Sequence, residues 1–208
     1  MQSQKPEEQL MNLRLHQFIP ETKVEGPGTR ACIQVQGCPI RCTGCAVPFT
    51  WEEDEGFTVE VDQLAEQILR DSKIDGVTFL GGEPFAQARA LTKLGRILKQ
   101  EGLSVVTFTG YLLEYLQNSG NQDHLELLAV TDLLIDGPFQ IKNVDTSRPW
   151  VGSTNQRYHF LTDRYLYLKE QLTEIPNRLE VRLTPDGRVL VNGLAEAKDL
   201  EDLFGRLL

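Results

Sequence analysis

Basic residues are in short supply: 21 Lys and Arg stand against 30 Asp and Glu, a formal charge of −9 at pH 7. A surface of that sign does not favour nucleic-acid phosphates or anionic lipid, so neither nucleic acid nor a membrane is expected as a partner. Long apolar runs are also missing; none approaches the roughly 20 residues of a membrane-spanning helix. Residues 1–9 are polar, without the apolar core of a signal peptide, and a cytoplasmic location is expected. There is no internal repeat and no long low-complexity tract. Cysteine is scarce too, at four residues, but Cys38, Cys42 and Cys45 fall close together. Cysteines that near one another are poor candidates for disulfides across a fold, and in a reducing compartment they serve a metal more naturally.

What is present is alternation of strand-type and helix-type runs. Residues 31–36, 76–80, 103–108 and 132–135 read as strands, and 155–160 as a further one. Residues 62–70 carry Leu64, Ala65, Ile68 and Leu69 on one helical face. Residues 86–100 read as a helix stopped by Gly102, 111–116 as a helix start and 124–128 as a short helix. Strand–helix units with short loops imply an α/β fold, a parallel sheet with helices outside. About five such units favour a curved or partial (β/α) barrel over a full eightfold one. Chemistry is then expected beyond the C-terminal ends of the strands. Residues 179–183, the turn Thr184-Pro185-Asp186-Gly187 and residues 188–191 read as a β-hairpin. Residues 195–207 read as a closing helix with Leu200, Leu203, Phe204 and Leu207 inward. The expected organisation is a loosely packed tail over 1–12, a barrel domain over 13–175 and a hairpin–helix appendage over 176–208 packed on it.

The stretch Gly37-Cys38-Pro39-Ile40-Arg41-Cys42-Thr43-Gly44-Cys45 has the spacing C-x3-C-x2-C. Three thiolates suit a four-iron cubane with one iron left open, and an open position is the mark of a catalytic metal. A structural zinc site would need a fourth ligand, and His16, His124 and His159 are all distant in sequence. A ferredoxin would want four cysteines at other spacings. Cys32, on the proposed strand, reads as a core residue. The second strand ends in Gly81-Gly82-Glu83-Pro84, where paired glycines allow close backbone approach and Glu83 offers an acceptor for an ammonium. Taken alone, that turn also reads as a capped strand-to-helix connection.

Together, the cysteine spacing and Gly81-Gly82-Glu83-Pro84 resemble the radical S-adenosylmethionine superfamily. Glu25-Gly26-Pro27-Gly28-Thr29-Arg30, Cys42-Thr43-Gly44-Cys45, Thr109-Gly110-Tyr111, Asp136-Gly137-Pro138-Phe139 and Gly152-Ser153-Thr154-Asn155-Gln156-Arg157 narrow it. They are similar to the glycyl-radical-enzyme activases, and to the activating proteins of anaerobic ribonucleoside-triphosphate reductases over roughly residues 13–160. The chain departs in having Glu25 where the activases usually have Asp, and Ala46-Val47 where an aromatic or His precedes Asn.

The resemblance implies a partial barrel of the radical S-adenosylmethionine type holding one [4Fe-4S] cluster on Cys38, Cys42 and Cys45. Gly44, Cys45 and Ala46 would set backbone against S-adenosylmethionine, and Gly81, Gly82, Glu83 and Pro84 would hold its methionine end. Thr109 and Gly110 would line the same pocket. Asp136 would hold a cation near the cofactor, or serve only as a turn aspartate. Gly26, Gly28, Arg30, Asn155 and Arg157 would contact a partner loop, or be structural. Reduction by a flavodoxin or ferredoxin would split the sulfonium to a 5′-deoxyadenosyl radical, which would then create a glycyl radical in a partner such as anaerobic ribonucleotide reductase. Two alternatives remain: a radical enzyme acting on a small molecule or peptide, and a non-catalytic electron carrier or regulatory iron–sulfur protein.

Overall fold

The computed structural model describes residues 10–70, 73–184, 187, 189–194, 201, 202 and 205. Seven strands make the main sheet: β1 (Asn12–Thr22), β2 (Arg30–Val35), β3 (Phe57–Glu60), β4 (Gly76–Gly81), β5 (Ser104–Phe108), β6 (Leu133–Asp136) and β7 (Arg157–Phe160). Their order is β3-β1-β2-β4-β5-β6-β7. The middle four, β2, β4, β5 and β6, run parallel, while β1, β3 and β7 pair antiparallel with their neighbours. The helices are α1 (Val61–Arg70), α2 (Ala88–Gln100), α3 (Leu113–Asn118) and α4 (Gln122–Val130). This is a mixed α/β fold with a large, mostly parallel sheet. Only the centre of the sheet follows the all-parallel expectation.

Strand alternation decides which side chains meet the helices. Ala31, Ile33 and Val35 of β2, Val77 and Phe79 of β4, Val105 of β5 and Leu134 of β6 join one core with Leu64 and Ile68 of α1 and Leu91, Leu94 and Leu98 of α2. Full burial of each large apolar side chain stabilises by about 1.5–3 kcal/mol. The opposite face is more mixed. Val106, Leu133 and Ile135 pack there with Val151, Tyr165 and Leu168, but Arg30, Gln34 and Thr78 are also buried in the alternate register. The strands are therefore not apolar on both faces, and the polar inner face leads to the cavity described below.

Two strands lie outside the sequence reading. β1 carries Pro20 and two register irregularities against β2, which break the period-2 signal. β3 is four residues long. The tail also ends earlier than expected, because Met11 packs on the core and Asn12 pairs with Glu60. The helix read over 86–100 opens as a short 3-10 turn, Pro84–Gln87, before α2. Strands β8 (Leu179–Leu183) and β9 (Val189–Gly193) form the expected hairpin. The closing helix read over 195–207 lies for the most part outside the described residues.

Candidate iron–sulfur and cofactor site

The cysteine loop leaves β2 and the glycine turn leaves β4, its parallel neighbour, at the same edge of the sheet. Backbone bonds lace the two together: Gly82 N–H donates to Val35 O at 2.8 Å and Glu83 N–H to Gly37 O at 2.9 Å. Gly37 and Cys38 N–H in turn donate to Thr50 O and Trp51 O, at 2.9 and 3.0 Å. A Cβ on Gly82 would sit 2.3 Å from Gly37 O, so only glycine permits this approach. The paired glycines thus bring two protein loops together. On the loop itself Gly44 has φ +79°, and a Cβ there would lie 2.6 Å from Ile141 Cδ1.

A cavity of about 610 Å³ opens beside these loops, lined by Cys38, Cys42, Cys45, Ala46, Gly81, Gly82, Glu83, Thr109 and Gly110. A second cavity of about 640 Å³, between the start of β1 and α2, holds Lys93 and Asp123 and no thiol; the chemistry lies in the former. Backbone amides face the sulfurs. Burial pushes the Cys38 thiol up, opposed by the amides of Arg41 and Ile40. Burial likewise raises Cys42, opposed by the amide of Phe139, while Cys38 and Cys45 beside it raise it further. Val47 N–H donates to Cys45 Sγ at 3.4 Å. Such donors favour thiolates. Among the described residues no three His, Cys, Asp or Glu side chains gather as a single-ion site. Three thiols lining one cavity are a donor set of the kind a cubane takes, each cysteine on a different iron. The donor set therefore fits an iron–sulfur cluster.

Glu83 is 1 % exposed. Its Oε1 accepts from Phe85 N–H and Thr109 Oγ1–H, and its Oε2 from Gly110 N–H, each at 2.9 Å. Burial pushes its carboxyl up to about 7 despite those three bonds. Oε2 keeps acceptor capacity.

Other expected site residues lie elsewhere. Gly44 and Pro84 stand behind the cavity wall; Pro84 is buried at the start of its 3-10 turn. Asp136 does not line the cavity either. Its carboxylate takes Leu113 N–H at the start of α3 (2.7 Å) and Arg157 Nε and Nη2 (2.9 and 2.5 Å), with His159 Nε2 at 3.0 Å. Burial alone would raise this carboxyl, but His159, Arg157 and the Leu113 amide bring it down to about 2. Arg157, the ion-pair partner of Asp136, also makes a two-point contact with Glu114. Asn155 donates to Pro138 O at 2.7 Å.

Gly26, Gly28 and Arg30 depart furthest from expectation. They sit at the opposite end of the sheet, where β2 begins. Arg30 is 0 % exposed and is bonded to Pro27 O, Thr78 Oγ1, Val77 O, Ser104 and Tyr165. Its donors are taken up inside the fold. Cys32 is fully buried, its thiol raised well above the ordinary range by that burial, and it does not line the cavity.

Glu25, Gln34, Phe108, Trp150 and Asn192 also line the cavity, and sequence reading did not assign them there. Glu25 is walled by protein yet faces the cavity; burial raises its carboxyl, opposed by Asn192 and by Gly193 N–H. The signal for Glu25 was the departure from Asp; the Asn192-Gly193 pair ending an apolar strand was a second, weaker one.

Residues 24–159 match the family described as a 4Fe-4S single cluster domain. The chain belongs to that family, of the radical S-adenosylmethionine type. It is 34 % identical over 158 residues to an anaerobic ribonucleoside-triphosphate reductase-activating protein of Vibrio cholerae, covering 72 % of this chain and 99 % of that one. The protein of the same name from Enterobacteria phage T4 is 34 % identical over 146 residues, 67 % of this chain and 89 % of that one. A pyruvate formate-lyase-activating enzyme of Clostridium pasteurianum is 32 % identical over 138 residues, 64 % and 53 % of the two chains. The cofactors of this radical S-adenosylmethionine protein are one [4Fe-4S] cluster and S-adenosylmethionine. Among the described residues no helix is long and apolar enough to cross a membrane.

Proposed function

We propose that this chain activates a glycyl-radical enzyme of the anaerobic ribonucleotide reductase kind by abstracting a hydrogen atom from a glycine Cα of that partner. The observation that carries the reading is one cavity, at the C-terminal ends of β2 and β4, shared by three thiols and the Gly81-Gly82-Glu83 turn. The names of the relatives, covered almost end to end by this chain, support the partner class.

In this reading Cys38, Cys42 and Cys45 would ligate the cluster, and the amides of Ile40, Arg41 and Phe139 oppose the burial that disfavours the thiolates of Cys38 and Cys42. When bound, the cluster and S-adenosylmethionine supply one-electron cleavage of the sulfonium and, with it, hydrogen-atom abstraction. Glu83, with acceptor capacity left on Oε2, would hold the ammonium of the methionine moiety. A cation held there would favour the ionised carboxyl against the burial that raises it. Thr109 and Gly110 fix that carboxylate from β5. Gly81 and Gly82 keep the turn against the cysteine loop, and Ala46 leaves the wall low beside it. Phe108, Leu80 and Trp150 line the interior with apolar surface, which disfavours water around a radical. A flavodoxin or ferredoxin delivers the electron. The sheet closes as a partial barrel around this interior, with 13–175 as the barrel domain and 176–208 as an appendage. A reducing cytoplasm suits free thiols of this kind.

The test is anaerobic iron–sulfur reconstitution, then dithionite and S-adenosylmethionine, with 5′-deoxyadenosine quantified and an anaerobic ribonucleotide reductase added. Methionine and 5′-deoxyadenosine, with a glycyl radical EPR signal on the reductase, are expected. Cleavage without that signal would return the choice to a small-molecule or peptide substrate; no cleavage and no EPR shift of the reduced cluster on adding S-adenosylmethionine would sink the enzymatic reading.

A further inference from the structure

The β8–β9 hairpin lies outside the residues matched by the family, and the 158-residue alignment with the Vibrio relative already accounts for 99 % of that protein. The family match thus stops short of it. The hairpin's polarity is inverted. Val181 pairs with Val191 and Leu183 with Val189, so four apolar side chains share one face. That face points outward, with Leu183 79 %, Val189 46 %, and Val181 and Val191 each 40 % exposed. The other face, turned towards the barrel, carries Glu180, Arg182 and Asn192 beside Leu190. Glu180 accepts from Thr22 Oγ1–H at 2.6 Å, and Asn192 Nδ2–H donates to the same hydroxyl at 2.9 Å. Arg182 reaches Glu21 O, and Gly193 N–H donates to Glu25 Oε1 at 2.9 Å.

A two-stranded hairpin draws little stability from its own pairing, and this one is held by its polar side. An apolar face left outward then points to something that covers it. Its position says what. Leu179 and Val191 line the cavity that holds the thiols, so the face runs without a break into the cavity mouth. Phe49, 51 % exposed, lines the same cavity. Whatever sends a loop into the cavity crosses Val191 on the way.

We propose that the outward face of β8–β9, formed by Val181, Leu183, Val189 and Val191, is the docking surface for the recipient protein, taking an apolar segment that flanks its glycine loop. This rests on the activase reading above. The hairpin tethers the recipient, and the cavity receives the loop.

The test uses the full-length, cluster-loaded enzyme, with purified anaerobic ribonucleoside-triphosphate reductase as the recipient. Glycyl radical formation is followed by EPR as the reductase concentration is varied. Leu183→Glu combined with Val189→Glu should raise KM for the reductase at least about tenfold, as loss of a central apolar contact does. The maximal rate, recipient-free 5′-deoxyadenosine formation and Tm should stay as in the wild type, and Leu183→Met should restore KM. An unchanged KM overturns the proposal. A Tm lowered by several degrees also overturns it, because the chain's own residues 195–208 would then cover the face. So does a wild-type dimer that the double variant splits in sedimentation. These three outcomes leave the activase reading standing. Cleavage of S-adenosylmethionine with no glycyl radical from the wild type removes both.

Discussion

The two ends of the parallel strands both carry glycine-rich turns, and they behave in opposite ways. At the amino end, Gly26-Pro27-Gly28 wraps over Arg30, whose guanidinium spends its donors on Pro27, Thr78, Val77, Ser104 and Tyr165. At the carboxyl end, Gly81-Gly82 sets Glu83 and three thiols around a cavity, with acceptor capacity and sulfur left over. Both turns belong to segments that resemble activase motifs. The difference lies in what remains unbonded: a motif whose polar groups satisfy one another builds the fold, and one whose groups face open space builds a site.

That contrast breaks most sharply on the cysteines. Cys42→Ala should reduce reconstituted iron to near background and abolish 5′-deoxyadenosine, whereas Cys32→Ala, at the same chemistry but buried away from the cavity, should keep both. Iron lost with Cys32 would overturn the ligand assignment. At the amino end, Arg30→Leu removes the donor that reaches the buried carbonyls of Pro27, Val77 and Ser104. It should cost on the order of 3–5 kcal/mol in urea unfolding, and a loss under 1 kcal/mol would show that the guanidinium is dispensable.

Glu83 sharpens the comparison through pH. Its carboxyl ionises at 4.5 in the ordinary state and at about 7 in the fold, because burial disfavours the charge. The folded protein therefore binds the proton more tightly between those values, and stability falls as pH rises through the window. The full cost, about 3 kcal/mol, is reached above about pH 7. Before cluster loading, the unfolding free energy of the wild type minus that of Glu83→Gln should fall by that amount from pH 4.5 to 7.5. A flat difference would mean that Glu83 ionises normally. The smallest effect is expected from Gly82→Ala, whose new Cβ meets Gly37 O at 2.3 Å. It should cost about 1–3 kcal/mol and lower iron content by parting the two loops.

Much of this was legible before any coordinates. The apolar runs that became β2, β4, β5 and β6 kept their period, as did the faces of α1 and α2, because core burial fixes both. β1 was hidden by Pro20 and its bulges, and β3 by its brevity. The cysteine loop and the glycine turn could be read because each is local. Arg30 stayed open between a partner contact and a structural role because its acceptors include Ser104 and Tyr165, distant in sequence and brought together only by folding. The same holds for Glu25 and Gly193, 168 positions apart and joined by one hydrogen bond. No window along the chain contains such a pair.

The register of β2 on β4, with Val35 opposite Gly81, has a consequence for how this architecture can vary. The cysteine loop and the glycine turn spring from adjacent strands, and strand spacing in a sheet is close to invariant at about 4.8 Å. The sheet thus serves as a ruler, setting one distance that no loop substitution can stretch. Variation is pushed to the opposite wall, where a hairpin can be added, lost or reshaped while the ruled distance stays the same.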